Sequence, residues 1–152
     1  GMRSGTDNVP GIAGFALAAK MTYADLDIKV ERMYQLKQKL VDGLLALGDV
    51  HIHGMAVREG APHIVSAAFV GVRSEVLLHT LEDRGIYVSA GSACSTHKRN
   101  ASPTMQAIQA PKQLTEATVR FSLAETTTEE EIDYCLTVLG EVLPMLRRYT
   151  RR

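Results

Sequence analysis

The sequence predicts an α/β fold, more specifically an α+β two-layer sandwich in which helices pack on one small sheet. The predicted elements run helix, helix, strand, strand, helix, strand, helix, strand, helix along the chain. The 152 residues suit one compact domain with a hydrophobic core. A hydrophobic fraction of 45% is ordinary for a soluble globular protein.

The first two helices differ in their patterns. Residues 9–19 predict a short helix that is apolar nearly all round, with Pro10 at its first position. Such a helix must be covered, so we expect a further domain or a second subunit against it. Residues 24–47 predict a long amphipathic helix, because leucine, valine and methionine recur at three- and four-residue spacing, and Gly48 ends it.

Four short apolar stretches predict the strands: 50–53, 63–70, 86–88 and 118–123. A helix over 74–84 has Ser74 as its expected cap and Gly85 in a left-handed conformation after it.

Two further helices complete the chain. A helix over 102–108 is opened by Ser102 and Pro103. The final helix begins at Thr128 with acidic residues in its first turn, and Pro144 is expected to kink or shorten it.

Cys94 is the most informative side chain. The small residues 91–93 leave its sulfur uncovered, and His97, Lys98 and Arg99 follow closely. Since cations stabilise the nucleophilic thiolate, the segment favours a reactive cysteine, with an exposed loop cysteine of no chemical role as the alternative. Cys135, the only other cysteine, falls on the apolar stripe of the last helix and is expected in the core.

A metal site is not expected. Cys94 and His97 have a spacing found in zinc sites, but two further ligands are not evident. His51 and His53 share one face of a predicted strand and are interpreted as a solvent-facing pair.

Arg120 and Thr6 are the candidate ligand-binding residues. Arg120 interrupts an otherwise apolar strand, so its guanidinium is expected to need a carboxylate or phosphate partner, either in an internal salt bridge or on a bound substrate. A substrate carboxylate would be held by two parallel hydrogen bonds. Thr6 follows Gly5 in a polar segment that suits a phosphate oxygen.

Charge and hydropathy exclude several classes of partner. Lys plus Arg and Asp plus Glu both number 17, which gives no overall attraction to nucleic acid or to an anionic membrane. No apolar run is long enough to span a bilayer, and no secretory signal opens the chain.

Two cysteines do not form a disulfide framework, so a reducing cytoplasm is expected. The basic tail 147–152 is interpreted as a solvated helix end.

Several motifs together resemble the cysteine desulfurases of the NifS and IscS type, within the class-V aminotransferase superfamily of pyridoxal-phosphate enzymes. The residues that carry the resemblance are Arg3-Ser4-Gly5-Thr6, Asn8-Val9-Pro10-Gly11-Ile12, Ser89-Ala90-Gly91-Ser92-Ala93-Cys94-Ser95, Ser102-Pro103, Val119-Arg120-Phe121-Ser122-Leu123 and Thr127-Thr128-Glu129-Glu130-Glu131-Ile132-Asp133. Their order and spacing match over essentially the whole chain.

The resemblance implies roles for three residues. Cys94 would be catalytic, taking the sulfur of L-cysteine as a persulfide while alanine is released. Arg120 would bind the substrate carboxylate, and Thr6 would contact the pyridoxal phosphate across a homodimer interface. A sulfur acceptor, such as a scaffold protein for iron–sulfur cluster assembly, would be the partner.

The resemblance also implies that the chain is the small C-terminal domain of fold type I. The family's cofactor lysine lies in a large domain that precedes the Arg-Ser-Gly-Thr motif, and no lysine here has a matching context. Residues 1–22 would then be the linking segment and helix, and residues 23–152 the small domain. The chain alone is expected to bind no cofactor and to be inactive.

Two other interpretations stay open at this point. The chain could belong to another class-V aminotransferase or lyase, in which the sulfur of Cys94 is dispensable. It could also be a persulfide carrier or interaction module without a cofactor.

Overall fold

The computed structural model describes residues 5–90 and 102–150. It contains a four-stranded antiparallel sheet in the order β1-β2-β4-β3. The strands are β1 (Val50–His53), β2 (Ile64–Phe69), β3 (Ser89–Ala90) and β4 (Thr118–Ser122). The predicted α+β arrangement, a small antiparallel sheet with helices packed on it, is confirmed.

Six helices accompany the sheet in the described residues: α1 (Val9–Tyr23), α2 (Leu26–Ala46), α3 (Ser74–Glu82), α4 (Pro103–Ala107), α5 (Lys112–Glu116) and α6 (Glu129–Thr150). Helices α2, α3 and α6 contribute the apolar residues that cover one face of the sheet. In β2 and β4 that face consists of alternate residues, because successive strand side chains point to opposite sides. They are Val65, Ala67, Phe69, Val119 and Phe121.

Helices α2 and α6 form the centre of the core. Leu40 and Leu44 of α2 and Leu139 and Leu143 of α6 are each at most 1% exposed. At the rim, Lys39 forms ion pairs with Glu129 and Asp133 of α6. The long amphipathic helix predicted over 24–47 is therefore present and buries its apolar stripe.

The start of α6 has the side-chain cap that its sequence predicts. The Thr128 amide donates to Glu131 Oε2 at 2.9 Å, and the Glu131 amide donates to Thr128 Oγ1 at 3.2 Å. This reciprocal capping box provides hydrogen-bond acceptors for two backbone amides that have no acceptor within the helix. The expectation that Pro144 shortens the helix is wrong, because α6 continues to Thr150.

The basic tail is not simply a solvated helix end. Arg147 is half-buried, and its guanidinium donates to the carbonyl oxygens of Gly48, Asp49 and Val70. It thereby ties the last turns of α6 to the start of β1 and the end of β2. Arg148, in contrast, is exposed.

Three local expectations differ from the structure. The strand predicted over 86–88 lies at Ser89–Ala90 in the described part of the chain, where these two residues pair with β4. Ser74 is not the cap of α3: it is the first helical residue and is buried, and Arg73 precedes it as the cap residue. Helix α5 was not predicted, since five residues are too few to show a periodic pattern.

Helix α1 is apolar nearly all round, as predicted, and none of its residues is buried. Asn8 begins it by accepting a hydrogen bond from the Gly11 amide through Oδ1 at 3.1 Å. Phe15 is 77% exposed and Met21 64% exposed. Within the described ranges, no helix has both the length and the apolar character needed to cross a membrane.

Candidate functional site

Of the two cysteines, the structure describes Cys135 and not Cys94. Cys94 and the three basic residues that follow it lie outside the described residues. Cys135 is buried on α6, which confirms its predicted place in the core. Burial raises the pKa of the Cys135 thiol to about 11, so it stays protonated at neutral pH.

Arg120 projects from the sheet face opposite the hydrophobic core. Its neighbours in β4, Val119 and Phe121, are buried, whereas Arg120 is exposed. The antiparallel register places Ser89 of β3 directly opposite it. Arg120 Nη2 donates a hydrogen bond to Ser89 Oγ at 3.3 Å.

The register extends this pair into a polar row across all four strands. His53 lies opposite Ser66, Ser66 opposite Arg120, and Arg120 opposite Ser89. With strands spaced about 4.8 Å apart, His53 is roughly 10 Å from Arg120 along the row. The row contains one permanent cation and no carboxylate.

The internal salt bridge considered for Arg120 is absent from the described part of the chain. No Asp or Glu in residues 5–90 or 102–150 forms an ion pair with its guanidinium. Four of its five N–H groups are left without a described acceptor, so a complete edge for a carboxylate stays available. Arg120 is exposed, so water solvates the guanidinium in this structure and the remaining donors are accessible from solvent.

His53 is held more firmly than a solvent-facing pair would require. Its Nε2 lies 2.9 Å from Thr118 Oγ1, and the Thr118 hydroxyl donates to the carbonyl oxygen of Leu114. Because that hydroxyl proton is already used, Nε2 of His53 is the donor. Desolvation and the neighbouring charge of His51 lower the pKa of His53. His51 itself is exposed, as predicted.

Thr6 lies at the other end of the described chain, just before α1. It is exposed, and Gly5 before it has φ +107°, a conformation that favours glycine. No hydrogen bond joins Thr6 to Arg120 in the described residues.

Four of the five described lysines, the residue type that could hold pyridoxal phosphate, are already engaged by other groups. That cofactor requires a lysine amine free to bond it. Lys29, Lys39 and Lys112 form ion pairs with nearby carboxylates. Lys37 is buried and donates to the carbonyl oxygen of Ala61 at 2.9 Å, and Lys20 lies exposed on α1.

A metal centre has no ligand set in the described residues either. No group of three or more His, Cys, Asp or Glu side chains is arranged to hold an ion there.

A family model for class-V aminotransferases matches residues 1–135. The chain belongs to this family. It is also similar to curated proteins, among them a NifS/IcsS protein homolog of Lactobacillus delbrueckii, with 37% identity over 142 residues. The cysteine desulfurases IscS of Edwardsiella ictaluri and Methanosarcina thermophila share 35% and 32% identity with it.

Solved structures agree with this membership. A NifS-like protein matches with a TM-score of 0.81 and 34% identity over 96% of this class-V chain. The apo cysteine desulfurase of Thermococcus onnurineus matches with a TM-score of 0.73 and 25% identity. The matches to these three curated relatives cover 93–97% of this chain. The chain, however, spans only 36–37% of the relatives' own length.

Proposed function

We propose that this chain is the C-terminal part of a pyridoxal-phosphate-dependent cysteine desulfurase. In the proposed reaction, L-cysteine gives L-alanine, and its sulfur passes to Cys94 as a persulfide. The observation that carries the proposal is Arg120, an exposed cation on the open sheet face whose only described partner is a serine hydroxyl. The similarity of the chain to named cysteine desulfurases supports the same reading.

Arg120 is proposed to bind the carboxylate of L-cysteine. The face around it carries serine and histidine side chains but no carboxylate in the polar row. A substrate carboxylate would therefore supply the missing counter-charge without displacing an internal one.

Thr6 and α1 are proposed to belong to the connection with the cofactor domain. We assign residues 1–22 to a linking segment and helix, and residues 23–152 to the small domain. The apolar surface of α1, none of which is buried, supports a covering domain. Thr6 would contact the cofactor phosphate across a homodimer interface.

The cofactor lysine is proposed to lie outside this chain, because the chain spans only 36–37% of the length of its curated relatives. The chain alone would then be inactive. The sulfur acceptor is proposed to be a protein of sulfur transfer, such as an iron–sulfur scaffold, and the location to be cytoplasmic.

The test uses the complete protein that contains this chain, assayed for alanine from L-cysteine. Cys94→Ser should abolish alanine formation and the persulfide mass on the protein, whereas Cys135→Ala should retain both. Arg120→Lys should raise KM for L-cysteine at least tenfold, because a lysine loses the bidentate contact. Arg73→Lys, at another exposed arginine, is the matched control.

Each contrary result points to another function. Normal turnover by Cys94→Ser would indicate another class-V aminotransferase or lyase. Persulfide accepted by the isolated chain from a donor protein, without cofactor, would indicate a sulfur carrier.

A further inference from the structure

Ser89 is the one described side chain that touches the Arg120 guanidinium by a hydrogen bond. From this contact we infer that Ser89 is a positioning residue that holds Arg120 in the orientation needed to bind a carboxylate. The inference rests on the carboxylate-binding role of Arg120 in the proposed function.

The backbone places this serine opposite the arginine. As far as the chain is described, β3 comprises Ser89 and Ala90, and its ladder with β4 pairs Ser89 with Arg120 and Ala90 with Val119. Ala90 and Val119 are 4% and 0% exposed, so the inner half of this short ladder is anchored in the core. The outer half, Ser89 and Arg120, is consequently held at a fixed separation on the open face.

The contact leaves the guanidinium able to bind a ligand. Ser89 Oγ accepts one of the two Nη2 protons. Because Nη2 has a second proton, one complete pair of parallel donors remains for a carboxylate. An arginine side chain otherwise loses much rotational freedom on binding, and a neighbour that already restrains it reduces that loss.

No other described side chain accepts a hydrogen bond from the Arg120 guanidinium. Ser66 lies opposite Arg120 on the β2 side, yet no hydrogen bond joins the two side chains. Ser122 lies two residues along β4, on the same face as Arg120, and has no described hydrogen bond from its side chain to Arg120. It therefore offers a matched control of the same residue type on the same strand.

The experiment uses the 152-residue chain labelled with 15N-arginine. Nuclear magnetic resonance would measure how fast the Arg120 guanidinium rotates, and how its Nε–H signal shifts with sodium acetate against equal sodium chloride. In Ser89→Ala, rotation should accelerate severalfold, and the acetate midpoint should rise about two- to fivefold, as expected for loss of one modest hydrogen bond. Ser89→Thr should restore both values, and Ser122→Ala should match the unsubstituted chain.

The outcomes separate the two claims. Equal rotation and equal acetate midpoints in Ser89→Ala and the unsubstituted chain would overturn the positioning role and leave carboxylate binding intact. If acetate does not shift the Arg120 Nε–H signal of the unsubstituted chain, the carboxylate-binding role of Arg120 is overturned. The rotation rates would still decide whether Ser89 restrains the Arg120 guanidinium. Unchanged amide spectra elsewhere would show that the variants are folded.

Discussion

The thiol of Cys135 illustrates how burial controls cysteine chemistry. With its pKa raised to about 11, only about one molecule in a thousand carries the thiolate at pH 8. We predict that iodoacetamide adds one group to the native chain at pH 8 and two after denaturation, as counted by mass spectrometry. In Cys94→Ser the native chain should take up none. Rapid native labelling of Cys135 would contradict its buried state.

His53 provides a prediction about pH. Its pKa in the folded chain is below the ordinary histidine value of 6.5 because of desolvation and, second, the charge of His51. Between the folded pKa and 6.5 the unfolded chain binds a proton that the folded chain does not, so stability falls as pH drops through that window.

Chemical denaturation at pH 7.5 and at pH 5 would measure this effect. We predict that His53→Gln loses less stability than the unsubstituted chain over that interval. His63→Gln, at an exposed histidine, should lose as much as the unsubstituted chain. Equal losses in all three proteins would exclude a contribution from His53.

At the scale of single elements, helices α2 and α6 approach each other closely at Gly43 of α2. A Cβ there would lie 2.7 Å from Leu136 Cδ2 of α6 and closer still to Cδ1. Alanine favours helix by about 1 kcal/mol over glycine. The clash should outweigh this gain, so we predict that Gly43→Ala lowers the free energy of unfolding by about 1–3 kcal/mol.

Gly140 of α6 is the matched control, because a Cβ there would be in ordinary contact, 3.7 Å from Leu47 Cδ2. Gly140→Ala should be neutral or stabilise by up to about 1 kcal/mol. Adding Leu136→Ala to Gly43→Ala should remove most of the clash energy in a double-mutant cycle. If Gly43→Ala stabilised the chain as Gly140→Ala does, the two helices would not pack as described.

The long and strongly patterned elements were predictable from sequence. The apolar repeat of α2, the capping residues of α6 and the apolar runs of β2 and β4 are local signals, and the structure confirms all of them. β3 was shifted and α5 missed because a two-residue strand is defined by its partner and a five-residue helix by its contacts.

The candidate site was predictable in part for the same reason. An arginine within an apolar strand is visible in the sequence, so Arg120 could be found. Ser89 could not, since only the β3–β4 register places it opposite Arg120. Likewise, the hydrogen bonds from Arg147 to three backbone carbonyls depend on residues that are 77 to 99 positions away.

At the scale of the whole molecule, the chain has a buried core but an uncovered helix at its start. The exposed apolar surface of α1, and the fact that the chain spans only 36–37% of the length of its curated relatives, support the proposal that activity requires further protein. We predict that the isolated chain, given pyridoxal phosphate and L-cysteine, forms no alanine above a Cys94→Ser background. Turnover by the isolated chain would contradict this.

The central claim is that the chain completes a cysteine desulfurase whose cofactor domain lies before it. The most direct measurement is the nucleotide sequence upstream of the codon for Met2 in the source genome. We expect an in-frame segment there that encodes a large domain with a cofactor-binding lysine. A stop codon in that frame, with translation starting at Met2, would contradict the account.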